Sequence, residues 1–241
     1  MNIIIPMAGM SSRFEQAGFN IPKYMLHINN RSIFSLSLER FNKYFKKYNF
    51  VFIIRDIYDT KTFVEKECRD LGLVNFQIET LKKPTQGQAE TVYKAINSLK
   101  LNKNESIMIN NIDTFSKPYI FSEIELRYDG FIEIFEGDGE NWSFVETNKK
   151  SNKVKRTTEK DRISNLCSSG LYYFKSCTDF CTAFEFSFQK SIKNSGEYYI
   201  APLYNLLIKK NKEIYIIPRK IDDFEFCGTP EELKVIIKNN I

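Results

Sequence analysis

The sequence has one histidine, His27, and one tryptophan, Trp142, in 241 residues. A single imidazole argues against a histidine-built metal site or a catalytic triad. His27, inside Tyr-Met-Leu-His-Ile, reads as a structural or surface residue. The five cysteines (Cys68, Cys167, Cys177, Cys181, Cys227) are odd in number and scattered. Cys177 and Cys181 could share a helix face, but no second cysteine pair completes a zinc site, so buried free thiols in a reducing cytoplasm are expected. No apolar run approaches the roughly 20 residues of a membrane span, and the amino terminus has no basic n-region. The expected setting is cytoplasmic and free of membrane. Two phosphate motifs are also missing. Gly9 has no glycine at either spacing of the dinucleotide fingerprint, and no Gly-Lys-Ser/Thr opens a helix. A net charge of +5 suits an enzyme of anions, and no basic stripe interleaved with aromatics points to nucleic acid.

What is present begins with Asn2 to Lys23. Ile3, Ile4 and Ile5 make an apolar run too compact for a helix, which predicts a fully buried strand. It breaks into Ala8-Gly9-Met10-Ser11-Ser12, whose small side chains let a ligand approach the backbone N–H groups. Arg13 follows, and Pro22-Lys23 closes the segment. Loop amides flanked by two cations suit a polyphosphate. An ordinary turn with its cations in water is the equal alternative on this stretch alone.

Further along, strands are predicted at Phe50–Ile54, Val74–Ile78 and Ser106–Ile109, and helices at Ile33–Phe45, Thr60–Leu71 and Gln88–Leu99. Such alternation gives a parallel sheet covered on both faces, which binds ligands beyond the carboxyl ends of its strands. From about Asp129 the pattern changes to strands with little helix between them: Phe131–Phe135, Trp142–Thr147, Lys153–Thr158 and Leu171–Phe174. Helices return at Cys177–Lys190 and Tyr199–Lys210. A strand at Ile214–Ile217 and a helix capped by Thr229, with Pro230 first and Glu231 and Glu232 in its opening turn, close the chain. Phe184, Phe188 and Tyr204 fall at helical spacing and read as core. One domain is expected, in a nucleotide-binding half (1–128) and an acceptor half (129–241), with no internal repeat.

Several segments carry candidate chemistry. Gly87, in Pro-Thr-Gln-Gly-Gln just before a helix, permits close approach of a flat base to the backbone; a plain helix start is the alternative. Asp113 follows a strand ending in Asn110 and Asn111, at the sheet's carboxyl edge. One or two protein carboxylates suffice for magnesium on a triphosphate, although an aspartate capping a turn is also common there. The charged run up to Arg162 reads chiefly as a solvated hairpin. Trp142 could floor a pocket or belong to the core.

Taken together, these motifs resemble the signature of the sugar-phosphate nucleotidyltransferases, roughly G-x-G-x-R followed by P-K, and the PMAG opening with RF is closest to members from surface-polysaccharide loci. Ser11 stands where the second glycine is usual. The resemblance spans the chain with motifs in the expected order. It implies a Rossmann-like three-layer α/β fold, mainly parallel, with a mixed or antiparallel extension on the acceptor side.

The resemblance also implies site roles. Ala8, Gly9, Met10, Ser11, Ser12 and Asn111, with Thr85, Gln86, Gly87 and Gln88 as the base loop, would bind the nucleotide. Asp113 would hold Mg2+. Glu159, Lys160, Gly170 and Tyr172, with Trp142 and Glu197, would bind the acceptor. A second metal-binding aspartate is usual two residues before the late Gly-Thr-Pro turn, but here that slot is Phe226. On a regular strand Asp222 would share its side, and a bulge could re-aim a neighbour.

The implied reaction joins a nucleoside triphosphate, CTP favoured over the uridine, thymidine and guanosine analogues, to a sugar, polyol or other small phosphate, releasing pyrophosphate. Arg13 would hold the pyrophosphate, Lys23 the α-phosphate and Lys160 the attacking phosphate. Surface-polysaccharide synthesis is the implied pathway; the oligomeric state is left open, a homodimer among the options. A glycosyltransferase of similar architecture and a non-catalytic nucleotide-binding module are the rivals.

Overall fold

The computed structural model describes residues 1–55, 57–148 and 151–239. The isoleucine run forms β1 (Asn2–Pro6), with Ile3, Ile4 and Ile5 wholly buried. A five-residue helix, α1 (Ser12–Gln16), follows it. Two short strands come next, β2 (His27–Ile28) and β3 (Arg31–Ser32), and His27 is exposed there as expected. The helix expected over 33–45 is α2 (Ile33–Leu38), continued by a tighter 3-10 turn over Glu39–Tyr44. The apolar face persists through both, since Phe34 and Phe41 are fully buried.

Then come β4 (Asn49–Arg55), α3 (Thr60–Asp70) and β5 (Phe76–Leu81). The last starts later than the sequence suggests. Val74 is 63% exposed, and its N–H is tied to the Phe45 carbonyl rather than to a neighbouring strand. After α4 (Gln88–Ser98) and β6 (Ile107–Asn110) the chain forms β7 (Thr114–Ser116), β8 (Gly130–Glu136), β9 (Ser143–Thr147) and β10 (Val154–Glu159). Strand β11 (Leu166–Phe174) is nine residues long rather than the four expected. Helix α5 (Cys177–Gln189) begins on a Ser176 cap.

The helix predicted from Tyr199 is only α6 (Tyr204–Lys209), preceded by a 3-10 turn at Ala201–Leu203. Pro202 lacks an N–H and restricts the residue before it, which delays the start. Strands β12 (Ile214–Pro218) and β13 (Phe224–Phe226) and helix α7 (Pro230–Asn239) complete the chain. The Thr229 cap is present: its Oγ1 accepts from the Glu232 N–H, while the Glu232 carboxylate accepts from the N–H groups of Gly228 and Thr229. This reciprocal pairing meets donors that a helix start leaves open.

Two compact units form, and neither is a continuous half of the chain. One contains Met1–Ile4, Thr85–Asn110 and Phe121–Ile221; the other Ile5–Pro84, Asn111–Ile120 and Asp222–Ile241. In the first, β1 runs parallel to β6, and β8 parallel to β12, while β11 pairs antiparallel with β6, β8 and β9. In the second, β4 and β5 are parallel, β7 pairs antiparallel with β13, and the Met7 N–H reaches the Ile53 carbonyl.

Each unit has its own aromatic core. Phe131, Phe144, Phe174 and Tyr204 are fully buried in the first, and Phe34, Phe41, Phe50 and Phe52 in the second. Each such side chain contributes about 1.5–3 kcal/mol by leaving water. Phe184 is core as expected, but Phe188 is 49% exposed. All five cysteines are free and buried. No helix among the described residues is long and apolar enough to cross a membrane.

Candidate active site

In the second unit, the chain leaves buried β1 through Met7 and Ala8 and becomes exposed at Gly9 and Met10. An added Cβ at Gly9 would meet nothing within 4 Å, so the loop leaves open space there. Ser11 adopts the left-handed conformation (φ 53°, ψ 30°) and its carbonyl accepts from Phe14 and Glu15. A side chain in that region costs roughly 1–2 kcal/mol. Glycine adopts that conformation without the cost, which gives the usual second glycine of the signature a physical reason; this chain has serine there.

Lys23, just after Pro22, points its ammonium at Asp113, with Nζ 2.6 Å from Oδ2. The side chains are 17% and 25% exposed. Burial pushes the Asp113 carboxyl up, but the charge and hydrogen bond of Lys23, with Arg13 nearby, outweigh it and hold the carboxyl below its ordinary value. Arg13, itself exposed, thus lies within electrostatic reach of the pair. Lys23, Arg13 and Asp113 are brought together as the sequence suggested. Asn111, half-buried, turns its carbonyl to the Ser37 hydroxyl at 3.3 Å.

The Asp113 carboxylate suits a divalent metal on two observations. A cation already stands 2.6 Å from it. On another side, an added Cβ at Gly228 would come within 3.4 Å of Oδ2. No second carboxylate joins it from β13. That strand pairs with β7 in regular register, so no bulge re-aims a neighbour, and Phe226 supplies no donor. Asp222 is not on the strand but in the 3-10 turn before it, and Asp223 is paired with Lys117 at 3.1 Å. Both line a separate cleft of about 380 Å³ with Glu39, Phe115 and Phe224. Among the described residues no three ligating side chains cluster, which leaves a one-carboxylate site of the kind magnesium accepts on a triphosphate.

The first unit gathers the other candidates. Glu159, 6% exposed, ends β10 opposite Ser143 of β9 and accepts a hydrogen bond from its hydroxyl. The Ser143 hydroxyl also lies 3.3 Å from that of Tyr172. Burial raises the Glu159 carboxyl, against the opposing pull of Ser143 and Lys160. Burial likewise pushes the Tyr172 phenol up to about 12, with the Glu159 charge adding to it. Lys160, in the left-handed region at φ 53°, donates from Nζ to the Tyr199 phenol at 2.8 Å and stands 5.0 Å from the centre of that ring. Glu197, exposed, acts electrostatically on Lys160, Glu159 and Tyr199. Gly170, buried at φ 91°, donates to the Ser168 hydroxyl where β11 slips register against β8.

Two further candidates are held by contacts within the chain. Trp142 is held by its own hairpin, packing edge-on to Phe135 and donating from Nε1 to the Asp138 carbonyl at 3.0 Å. Gly87 (φ 119°) is required by packing: an added Cβ would lie 2.5 Å from the Tyr198 carbonyl oxygen and 2.6 Å from its nitrogen. The Tyr198 backbone bonds Gln86 and Ala89 on either side, while Thr85 and Thr91 hydroxyls donate to the Gly87 carbonyl. Gln86 also receives the Lys193 ammonium at 2.6 Å, and Gln88 opens α4.

The residues that sequence reasoning missed are Ser143, Tyr199 and Arg55. Tyr199 lies two residues after Glu197, with nothing in the local pattern to mark its phenol as the partner of Lys160. Arg55 ends an otherwise buried apolar strand, which was a usable signal.

The chain matches no family model and no curated protein sequence. Among solved structures it resembles a nucleoside-diphosphate-sugar pyrophosphorylase from Vibrio cholerae RC9, at 40% identity, 98% of this chain and 99% of that one, with a TM-score of 0.93. An inositol-1-phosphate CTP transferase from T. maritima shares the fold at 15% identity, covering 99% and 95% of the two chains with a TM-score of 0.75. The CTP:phosphocholine cytidylyltransferase of Streptococcus pneumoniae does so at 12% identity, covering 99% and 98%, with a TM-score of 0.76. The last two likenesses carry the fold alone; the first, at its identity and coverage, shows that this chain belongs to the sugar-phosphate nucleotidyltransferase family.

Proposed function

We propose that the protein transfers a nucleotidyl group from a nucleoside triphosphate, CTP in the first instance, to a sugar, polyol or other small phosphate, and releases pyrophosphate. The Lys23–Asp113 pair within electrostatic reach of Arg13, together with the open loop at Gly9 that precedes Arg13 in the chain, carries this reading. The family of the chain supports the reaction class; the preference for CTP is part of the proposal. A role in surface-polysaccharide synthesis remains part of the proposal.

A phosphate dianion on the acceptor is already nucleophilic, so no general base is required. What the reaction needs is orientation and neutralisation of two anions that repel each other. The amides of residues 8–12 and the Arg13 guanidinium bind the phosphates that leave as pyrophosphate. Lys23 orients the α-phosphate. Asp113 is the residue that would hold Mg2+, which neutralises triphosphate charge when bound. In the acceptor half Lys160 binds the attacking phosphate, and Glu159, Tyr172, Gly170 and Glu197 engage the acceptor's hydroxyls. The loop 85–88 offers backbone groups to the base.

The test is pyrophosphate release from each common nucleoside triphosphate against a panel of sugar, polyol and choline-type phosphates. Release with one pairing, strongest with CTP, is expected. Hydrolysis of a nucleotide-sugar without pyrophosphate exchange would instead establish the glycosyltransferase alternative.

A further inference from the structure

In the second unit β4 runs through Phe50, Val51, Phe52, Ile53 and Ile54, all fully buried, and ends on Arg55. The Ile53 carbonyl takes the Met7 N–H at 2.8 Å, which sets the end of β4 beside the loop that leaves β1. Arg55 reaches that loop: Nη1 is 3.0 Å from the Met10 sulfur and Nη2 3.5 Å from the Gly9 carbonyl. Nε is buried and has no hydrogen-bond acceptor among the described residues. A guanidinium carries five N–H donors. Here it is offered a thioether, which accepts weakly, a carbonyl at the limit of hydrogen-bonding distance, and nothing at Nε. The buried Nε is costly to leave unmet, while Nη1 and Nη2 lie at the exposed loop, where an anion with several acceptor oxygens can reach them. The neighbouring Gly9 and Met10 are exposed, and the space over Gly9 is open.

We propose that Arg55 is a third cation of the nucleotide site, binding the terminal phosphates of the triphosphate and then the departing pyrophosphate. The assignment rests on the triphosphate reading given above. The planar fork of a guanidinium matches two phosphate oxygens at once. Phosphate oxygens are also far better acceptors than the sulfur they would displace. Arg55 thereby adds recognition of the β and γ positions to that of Arg13.

The experiment is calorimetric titration of the full chain, with Mg2+, by CTP, inorganic pyrophosphate and CMP. Arg55→Gln should weaken CTP and pyrophosphate by about tenfold or more, as loss of a charge-assisted bidentate contact does, and leave CMP within about twofold. Arg55→Lys, which keeps the charge without the fork, should recover part of the loss and serves if the glutamine variant fails to fold. A variant that loses CMP as strongly as CTP shows loop bracing only and overturns the assignment. Wild-type binding with an indifferent Arg55→Gln overturns it too and leaves the triphosphate reading standing. A wild-type chain that binds neither CTP nor pyrophosphate overturns both.

Discussion

The loop at Gly9 and the loop at Gly87 look alike in sequence and are used in opposite ways. Each places a glycine after a strand and ahead of a helix. At Gly9 a side chain would enter empty space, whereas at Gly87 it would collide with the backbone of Tyr198. The first glycine leaves room for something outside the chain; the second is filled by the chain itself. A glycine at a sheet edge therefore marks close approach without saying what approaches.

The largest effect that would sharpen this contrast is on the open side. Lys23→Ala should lower pyrophosphate release by on the order of 10²–10³-fold, the usual consequence of removing one preorganised charge. The variant also leaves the largely buried Asp113 without its partner, so some loss of stability is expected and turnover is compared well below both melting temperatures. Near-normal turnover of Lys23→Ala would sink the catalytic assignment.

Next come the glycines themselves. Gly87→Ala forces a side chain into a backbone region that is nearly glycine-only, at a cost of roughly 1–3 kcal/mol, before the clash with Tyr198 is counted. Its urea midpoint should fall clearly. Gly9→Ala should leave that midpoint within about 0.5 kcal/mol of wild type, as surface changes usually do, while weakening CTP by about tenfold. Equal stability losses at the two positions would erase the comparison.

These differences also show how far the sequence could be read. Period and composition report which face of an element is buried, so β1, β4, α3, α4 and the Thr229 cap were legible, as were the pairing partners Lys23 and Asp113 through their motifs. The start of β5 was misplaced because Val74, though apolar, lies exposed in the segment ahead of the strand. The packing role of Gly87 was not legible because Tyr198, which fills its space, is remote in the chain and acts through backbone atoms common to every residue. Asp222 failed as a metal candidate for a geometric reason: the 3-10 turn at Ile221–Asp223 takes it off the strand whose alternation would have aimed it. Arg55 and Tyr199 act through contacts made only once the strands are assembled, so no local pattern points to their partners.

The contrast extends from space to charge in two carboxylates, and there the expected effect is smallest but its sign is sharp. Asp113 is held below the ordinary carboxyl range by Lys23, despite burial; Glu159 is held above it by burial, despite Ser143 and Lys160. A carboxyl lowered by folding contributes stability that is present above the unfolded value, about 4, and is lost as pH falls through the lowered one. A carboxyl raised by folding does the reverse: the native state binds more protons in the window above about 4.3, so stability declines as pH rises through it. Glu159→Gln should therefore gain over wild type between pH 4 and pH 8, and Asp113→Asn should trail wild type throughout that range, with the gap closing only below about pH 4. Each kcal/mol would appear as about 2–4 °C in Tm for a chain of this size. Parallel Tm profiles for wild type and Glu159→Gln would mean that Ser143 and Lys160 already offset the burial, and that this carboxylate is stabilised by its surroundings as fully as Asp113 is by Lys23.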